Sequence, residues 1–253
     1  MRIFTFVVSI LALAYFLLCA GIFFYQRSLI YYPQQGVKSV AENTIWTRSG
    51  EANIHIAVRK HEGNDAIIYF GGNAEDVVLS LPDFSEIYKD RAIYLMHYRG
   101  YGGSTGAPSE DVLHKDALTL FDQIYKKHTN VIVIGRSLGT GVAVRLASQR
   151  PVSRLILITP YDSLESVAAS QFPYLPVHWL LKDRFDSGVL VPKLKMPTLI
   201  LMAELDEVIP KSSTEQLYSR FSKGVASIKT IQGASHNTIS ANDNYSKALK
   251  EFR

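Results

Sequence analysis

The chain has 253 residues, 47% hydrophobic and 20% charged, which suits one large α/β domain with a sizeable core. Its formal net charge is +4, but the basic residues are scattered in singles and pairs such as Lys126-Lys127, which leaves no nucleic-acid footprint. Cys19 is the single cysteine, so an intramolecular disulfide and a cysteine-based metal site are excluded, and no His-Glu-x-x-His run offers a metal foothold.

No charged residue lies between Arg2 and Arg27, and Ile3 to Tyr25 is nearly all apolar. A helix of that length exceeds the ~30 Å hydrocarbon core of a bilayer. The stretch reads as an uncleaved transmembrane anchor over 1–26, followed by a juxtamembrane linker over 27–42 and a globular domain over 43–253. A cleaved signal peptide is the competing reading. Cleavage at Ala12-Leu13-Ala14 would leave the apolar run to Tyr25 attached, and Leu18-Cys19-Ala20 has a bulky residue where a small one is wanted. Tyr25, Tyr31 and Tyr32 are expected at the headgroup level. The amino terminus and Arg2 stand against Arg27 and Lys38, close to a tie under the positive-inside rule. The reading adopted places the terminus inside and the globular domain on the outer or luminal face.

From Asn43 onward, strand and helix patterns alternate. Thr44–Arg48 and Asn53–Val58 read as antiparallel starting strands. Ala66–Phe70 is a buried strand that ends in Gly71-Gly72-Asn73 and leads into a helix through about Tyr88. Ala92–Met96 is the next strand, and Ser109-Glu110-Asp111 opens a helix running to Lys127. Val131–Ile134, Leu155–Ile158, Thr198–Met202 and Ala226–Ile231 are further strands, and Tyr245–Phe252 closes the chain as a helix. Apolar strands alternating with helices predict a mostly parallel, eight-stranded sheet covered on both faces.

Asn130–Gly141 organises the rest. The β-branched run Val131–Ile134 gives way at once to Gly135-Arg136-Ser137-Leu138-Gly139 and then to residues at helical spacing. That is a strand, a sharp turn and a helix, with a serine at the apex. A turn this tight has no room for a β-carbon at Gly135 or Gly139. The strained serine is held with its hydroxyl exposed at a helix N-terminus, and the Leu138 N–H points where negative charge develops during acyl transfer.

A serine hydroxyl is a weak nucleophile, so a base must take its proton and a carboxylate must orient the base. On this scaffold the order along the chain is Ser, Asp or Glu, then His. His236, in Gly233-Ala234-Ser235-His236-Asn237, leaves the last strand and precedes the last helix. His55, His61, His114 and His128 read as structural or solvated, His178 lies in an insertion, and His97 ends a strand but precedes the serine. For the acid, Asp206 lies furthest along Glu204-Leu205-Asp206, with Glu204, Glu207 and Asp162 as alternatives. The glycines of Gly71-Gly72-Asn73-Ala74 let the backbone approach the substrate, making the Asn73 N–H the second oxyanion donor.

The motifs Gly72-Asn73-Ala74-Glu75-Asp76, Tyr98-Arg99-Gly100-Tyr101-Gly102-Gly103-Ser104, Gly135–Gly141, Leu205–Pro210 and Gly233–Asn237 together resemble the alpha/beta-hydrolase superfamily. Within it, the chain is similar to the membrane-associated branch that includes bud-emergence-type hydrolases and protein depalmitoylases. The resemblance implies an alpha/beta-hydrolase fold, a Ser137–Asp206–His236 triad and no cofactor. It departs at Gly71, where many relatives have a histidine.

The insertion between Tyr161 and Pro192 comes off the rim that bears Ser137. Its apolar run Phe172–Leu181 reads either as one wall of an acyl-chain pocket, through Phe172, Tyr174 and Trp179, or as a helix packed on the core. The expectation is a membrane-anchored serine hydrolase acting on an ester or thioester of an acyl or lipid-linked substrate, with no metal and no nucleic-acid partner. The alternatives are a serine peptidase and a non-catalytic interaction module on the same fold.

Overall fold

The computed structural model describes residues 1–35 and 43–252; the remainder of the segment read as a linker, Lys38 included, lies outside the described residues. The apolar amino-terminal stretch forms a single helix, α1 (Arg2–Ile30). Its 29 residues span about 43 Å at 1.5 Å per residue, more than a bilayer core requires. The helix continues past residue 26 and ends where Tyr31 turns extended, its N–H donating to the Arg27 carbonyl.

The strands are β1 (Thr44–Ser49), β2 (Ala52–Arg59), β3 (Asp65–Phe70), β4 (Ala92–Met96), β5 (Asn130–Arg136), β6 (Arg154–Ile158), β7 (Thr198–Leu205) and β8 (Ala226–Ser235). They form one sheet in the order β1-β2-β4-β3-β5-β6-β7-β8. β2 runs antiparallel to both of its neighbours, and all other pairings are parallel. The helices are α2 (Leu81–Ile87), α3 (Glu110–Tyr125), α4 (Leu138–Ala147), α5 (Leu164–Gln171), α6 (Val177–Leu180), α7 (Lys211–Ser219) and α8 (Asp243–Glu251).

Strand alternation divides the interior into two apolar layers. In β5, Val131 and Val133 join Leu120, Phe121, Val142 and Leu146 on the face covered by α3 and α4. Ile132 and Ile134 point the other way, into a layer with Phe84, Tyr88 and Leu249 from α2, its following residue and α8. β5 is buried on both faces because it is central, which is why its sequence is apolar without alternation. The chain reverses its winding about β3 and β5, so the loops leaving β3 and β5 lie side by side at the carboxyl edge.

Candidate active site

Ser137 follows β5 directly and is the residue from which α4 starts, with φ 48° and ψ −117°. A residue with a β-carbon adopts that conformation only when its surroundings hold it there. Its N–H donates to the Ile158 carbonyl of the neighbouring strand at 2.9 Å, and its carbonyl accepts from the Thr140 N–H at 2.9 Å. The glycines on either side are required by contact. A β-carbon on Gly135 would lie 2.5 Å from the Gly139 carbonyl oxygen, and one on Gly139 would overlap the Phe70 carbonyl oxygen. The second contact also explains why the turn abuts the loop after β3.

The carboxyl ends of β7 and β8 bring the other two groups to Ser137. His236 Nε2 is 3.0 Å from Ser137 Oγ, and His236 Nδ1 is 2.9 Å from both carboxylate oxygens of Asp206. Asp206 Oδ1 also accepts from the N–H groups of Val208 and Ile209, at 2.9 and 2.7 Å, so the carboxylate is aimed by its own loop. With a carboxylate on the Nδ1 side, the ring proton is held there and the Nε2 lone pair faces the serine hydroxyl. The alternative acids are engaged elsewhere. Glu204 accepts from the Gly233 N–H and Glu207 from the His236 N–H, while Asp162 pairs with Arg220 at 2.8 Å.

The other side of Ser137 is built from the α4 start and the loop after β3. Leu138 is the first residue of α4, where backbone N–H groups have no partner within the helix. Gly72 approaches so closely that a β-carbon there would sit 3.6 Å from Ser137 Cβ. Asn73 is anchored by its side chain: Oδ1 accepts from Tyr101 Oη at 3.0 Å and from the Tyr32 N–H at 3.1 Å, and Nδ2 donates to the Ile30 carbonyl. At Gly71 a β-carbon would come within 2.5 Å of Val77 Cγ1, so this loop is packed for glycine.

Two residues that motif reading passed over tie these loops together. Glu75 accepts from the Gly72 N–H and the Tyr69 hydroxyl, each at 2.7 Å, and faces Arg136 at 3.7 Å. Arg136 in turn donates to the His236 and Asn237 carbonyls at 3.3 and 3.4 Å. Burial works against the Arg136 charge, but Glu75 and Tyr69 beside it hold its pKa above the ordinary value. The available signal was a charged residue between two glycines of the turn, at a position buried by its neighbours.

An apolar cavity of about 470 Å³ opens beside Ser137, Leu138 and Asn73. Leu164 and Val167 of α5 and Val177 and Leu180 of α6 form one side, so the insertion does overhang the serine. Phe172 lines this cavity, but Tyr174 and Trp179 do not: they are 89% and 81% exposed. The reason is local geometry. α6 is a single short turn that spends Val177 on the interior, and Trp179 falls on the opposite side. Tyr31 likewise does not present its ring to the surroundings of the protein. It is 3% exposed, with its hydroxyl donating to Asp183 at 3.0 Å, because the end of α1 docks on the domain. Among the described residues no His, Cys, Asp and Glu grouping is placed to hold a metal ion.

A central parallel sheet with a strained serine between β5 and α4, and an acid and a histidine after the last two strands, defines the alpha/beta hydrolases as a structural class. A family model described as alpha/beta hydrolase fold matches residues 66–191, and the chain belongs to the alpha/beta-hydrolase superfamily. It is 29% identical over 251 residues to an uncharacterized protein of Mycobacterium tuberculosis, covering 91% of this chain and 87% of that one. Protein bem46 of Schizosaccharomyces pombe is 27% identical over 202 residues, 76% of this chain and 68% of its own. Among solved structures, the enol-lactonase of Burkholderia xenovorans superposes with a TM-score of 0.65 at 15% identity, covering 82% of this chain and 99% of that one, a likeness of fold.

Proposed function

We propose that this protein is a membrane-anchored serine hydrolase that cleaves an ester or thioester of an acyl or lipid-linked substrate through an acyl-enzyme intermediate. The observation that carries the reading is the continuous contact from Asp206 through His236 to Ser137 Oγ, at the foot of an apolar cavity. His236 Nε2 takes the hydroxyl proton as Ser137 Oγ attacks the carbonyl carbon. The Leu138 and Asn73 N–H groups receive the developing oxyanion. When the tetrahedral intermediate collapses, the imidazolium returns its proton to the departing alcohol or thiol. Water, deprotonated by the same nitrogen, then attacks the acyl-enzyme and frees Ser137. Asp206 keeps the imidazole in the correct tautomer and stabilises its charged form.

The apolar cavity walls favour an acyl chain, and the uncharged run of α1 supports the anchor. A fluorophosphonate probe tests the chemistry: wild type is expected to label at Ser137, and Ser137→Ala is expected to remain unlabelled. A folded wild type that does not label would move the chain to the non-catalytic modules on this fold. Cleavage of peptides in preference to esters and thioesters would favour the peptidase reading.

A further inference from the structure

The end of α1 does more than fasten the domain to a membrane. We infer that it forms one wall of the acyl site, and that this site opens sideways into the bilayer leaflet, so that the acyl chain of a membrane-held substrate enters without crossing water. The inference rests on the serine-hydrolase reading and names the substrate's physical state.

α1 has two parts. Residues 2–18 are exposed along their whole length, whereas residues 19–23 are partly covered and Gln26 is buried. The covered part faces the candidate site: Ile22, Leu29 and Ile30 line the same cavity as Ser137. Polar contacts fix this docking. Gln26 Nε2 donates to the Leu180 carbonyl at 2.9 Å, and its Oε1 accepts from the Lys182 N–H at 2.7 Å. Buried Asp183 takes Arg27 at 3.1 Å and the Tyr31 hydroxyl at 3.0 Å, both from the end of α1. A buried carboxylate stripped of these partners would be costly, so α1 and the insertion hold each other. The Asn73 amide continues the chain of contacts from the Ile30 carbonyl to the oxyanion loop.

The depth of the insertion follows from one contact. Tyr15 lies well inside the uncharged stretch of α1, and its hydroxyl donates to the Tyr174 carbonyl at 2.7 Å. With α1 across a bilayer, whatever touches Tyr15 lies below the headgroups, where a loop carbonyl needs such a partner. The exposed aromatics explain themselves on the same terms: Tyr174 and Trp179 are 89% and 81% exposed, and the Tyr174 carbonyl meets α1. Lys182 sits at the upper edge, its ammonium 3.8 Å from the Phe23 ring centre, as a cation does where it leaves the apolar layer. The cavity therefore has lipid at its mouth, α1 and the insertion as its sides, and Ser137 at its foot.

The test uses the full chain in phosphatidylcholine vesicles, with umbelliferyl palmitate and umbelliferyl butyrate as probes and rates normalised to the fraction that labels with a fluorophosphonate. Ile22→Trp and Leu29→Trp, which fill the wall contributed by α1, are expected to lower the palmitate-to-butyrate ratio of kcat/KM at least about tenfold. In the double variant Tyr174→Ser with Trp179→Ser, turnover of palmitate in vesicles relative to detergent micelles is expected to fall about fivefold or more. Ratios that stay within about twofold of wild type in labelled protein overturn the inference. Absence of labelling in wild type would instead overturn the serine-hydrolase reading on which it rests.

Discussion

The two ends of the sheet's carboxyl edge each bury a histidine, and they use it in opposite ways. At the β7–β8 end, both nitrogens of His236 face partners contributed by other strands, a carboxylate on one side and a hydroxyl on the other. At the β2–β4 end, His97 is stacked 4.9 Å from His55, which in turn stacks on Trp46 at 4.7 Å. His97 Nε2 has no hydrogen-bond partner among the described residues. Burial, with His55 adding to it, pushes the His97 pKa down to about 4. The difference teaches that position at the edge does not make a base. A base needs a carboxylate to support its charged form and a group to take a proton from, and only the β7–β8 end has both.

The largest expected effect sharpens this contrast at its centre. Ser137→Ala should lower kcat by roughly five to six orders of magnitude and abolish probe labelling, as loss of the nucleophile does in triad enzymes. Asp206→Asn should follow, with a fall in kcat of about 10⁴, because an amide in that place favours the wrong tautomer of His236. Steady-state kinetics on an acyl ester measures both. Glu75→Gln should lower kcat about tenfold while Ser137 still labels, since it weakens the pairing with Arg136 that joins the loop after β3 to the His236 loop.

The smallest effect on activity belongs to the other end of the edge. His97→Phe should leave turnover at neutral pH within about twofold of wild type, and a large loss would break the comparison. Its signature lies in stability against pH. His97 in the folded protein takes a proton only near pH 4, whereas the unfolded chain takes it near 6.5. As pH falls between those values the unfolded state binds more protons, so stability present above pH 6.5 is withdrawn, by roughly 3 kcal/mol from this group. His114, pushed down to about 3 by burial and by Arg145, acts in the same direction. The Tm of the full chain in detergent should therefore drop on acidification through this window, and the drop should be smaller in His97→Phe.

Much of the molecule was legible before any coordinates. The eight strands fell where the pattern predicts them, and β3 to β6 are apolar runs because inner strands of a covered sheet are selected for burial residue by residue. The turn at Ser137 was legible because its glycines are forced by contacts a few residues apart and across one neighbouring strand. The insertion was not. Phe172, Tyr174 and Trp179 have the same apolar character in sequence, yet one lines the cavity and two face outward. A run whose helix is the single turn of α6 carries too little periodicity to say which side is inside. Nor could composition show that Gln26, Arg27 and Tyr31 are spent on the insertion rather than on headgroups, since their partners lie some 150 residues away along the chain.

By itself the sequence determined the class of fold, the strained serine and the apolar stretch that precedes the domain, because each depends on interactions local in the chain or on burial alone. Chain order, serine before acid before histidine, already favoured His236 over His97, and tertiary structure brings its Nε2 to 3.0 Å from Ser137 Oγ. It also decided that Glu75 and Arg136 brace the loops around the serine, and that the end of α1 walls the cavity. Those outcomes depend on which loops are brought to a common edge, and strand order in space, unlike strand pattern in sequence, is set by packing of the whole sheet.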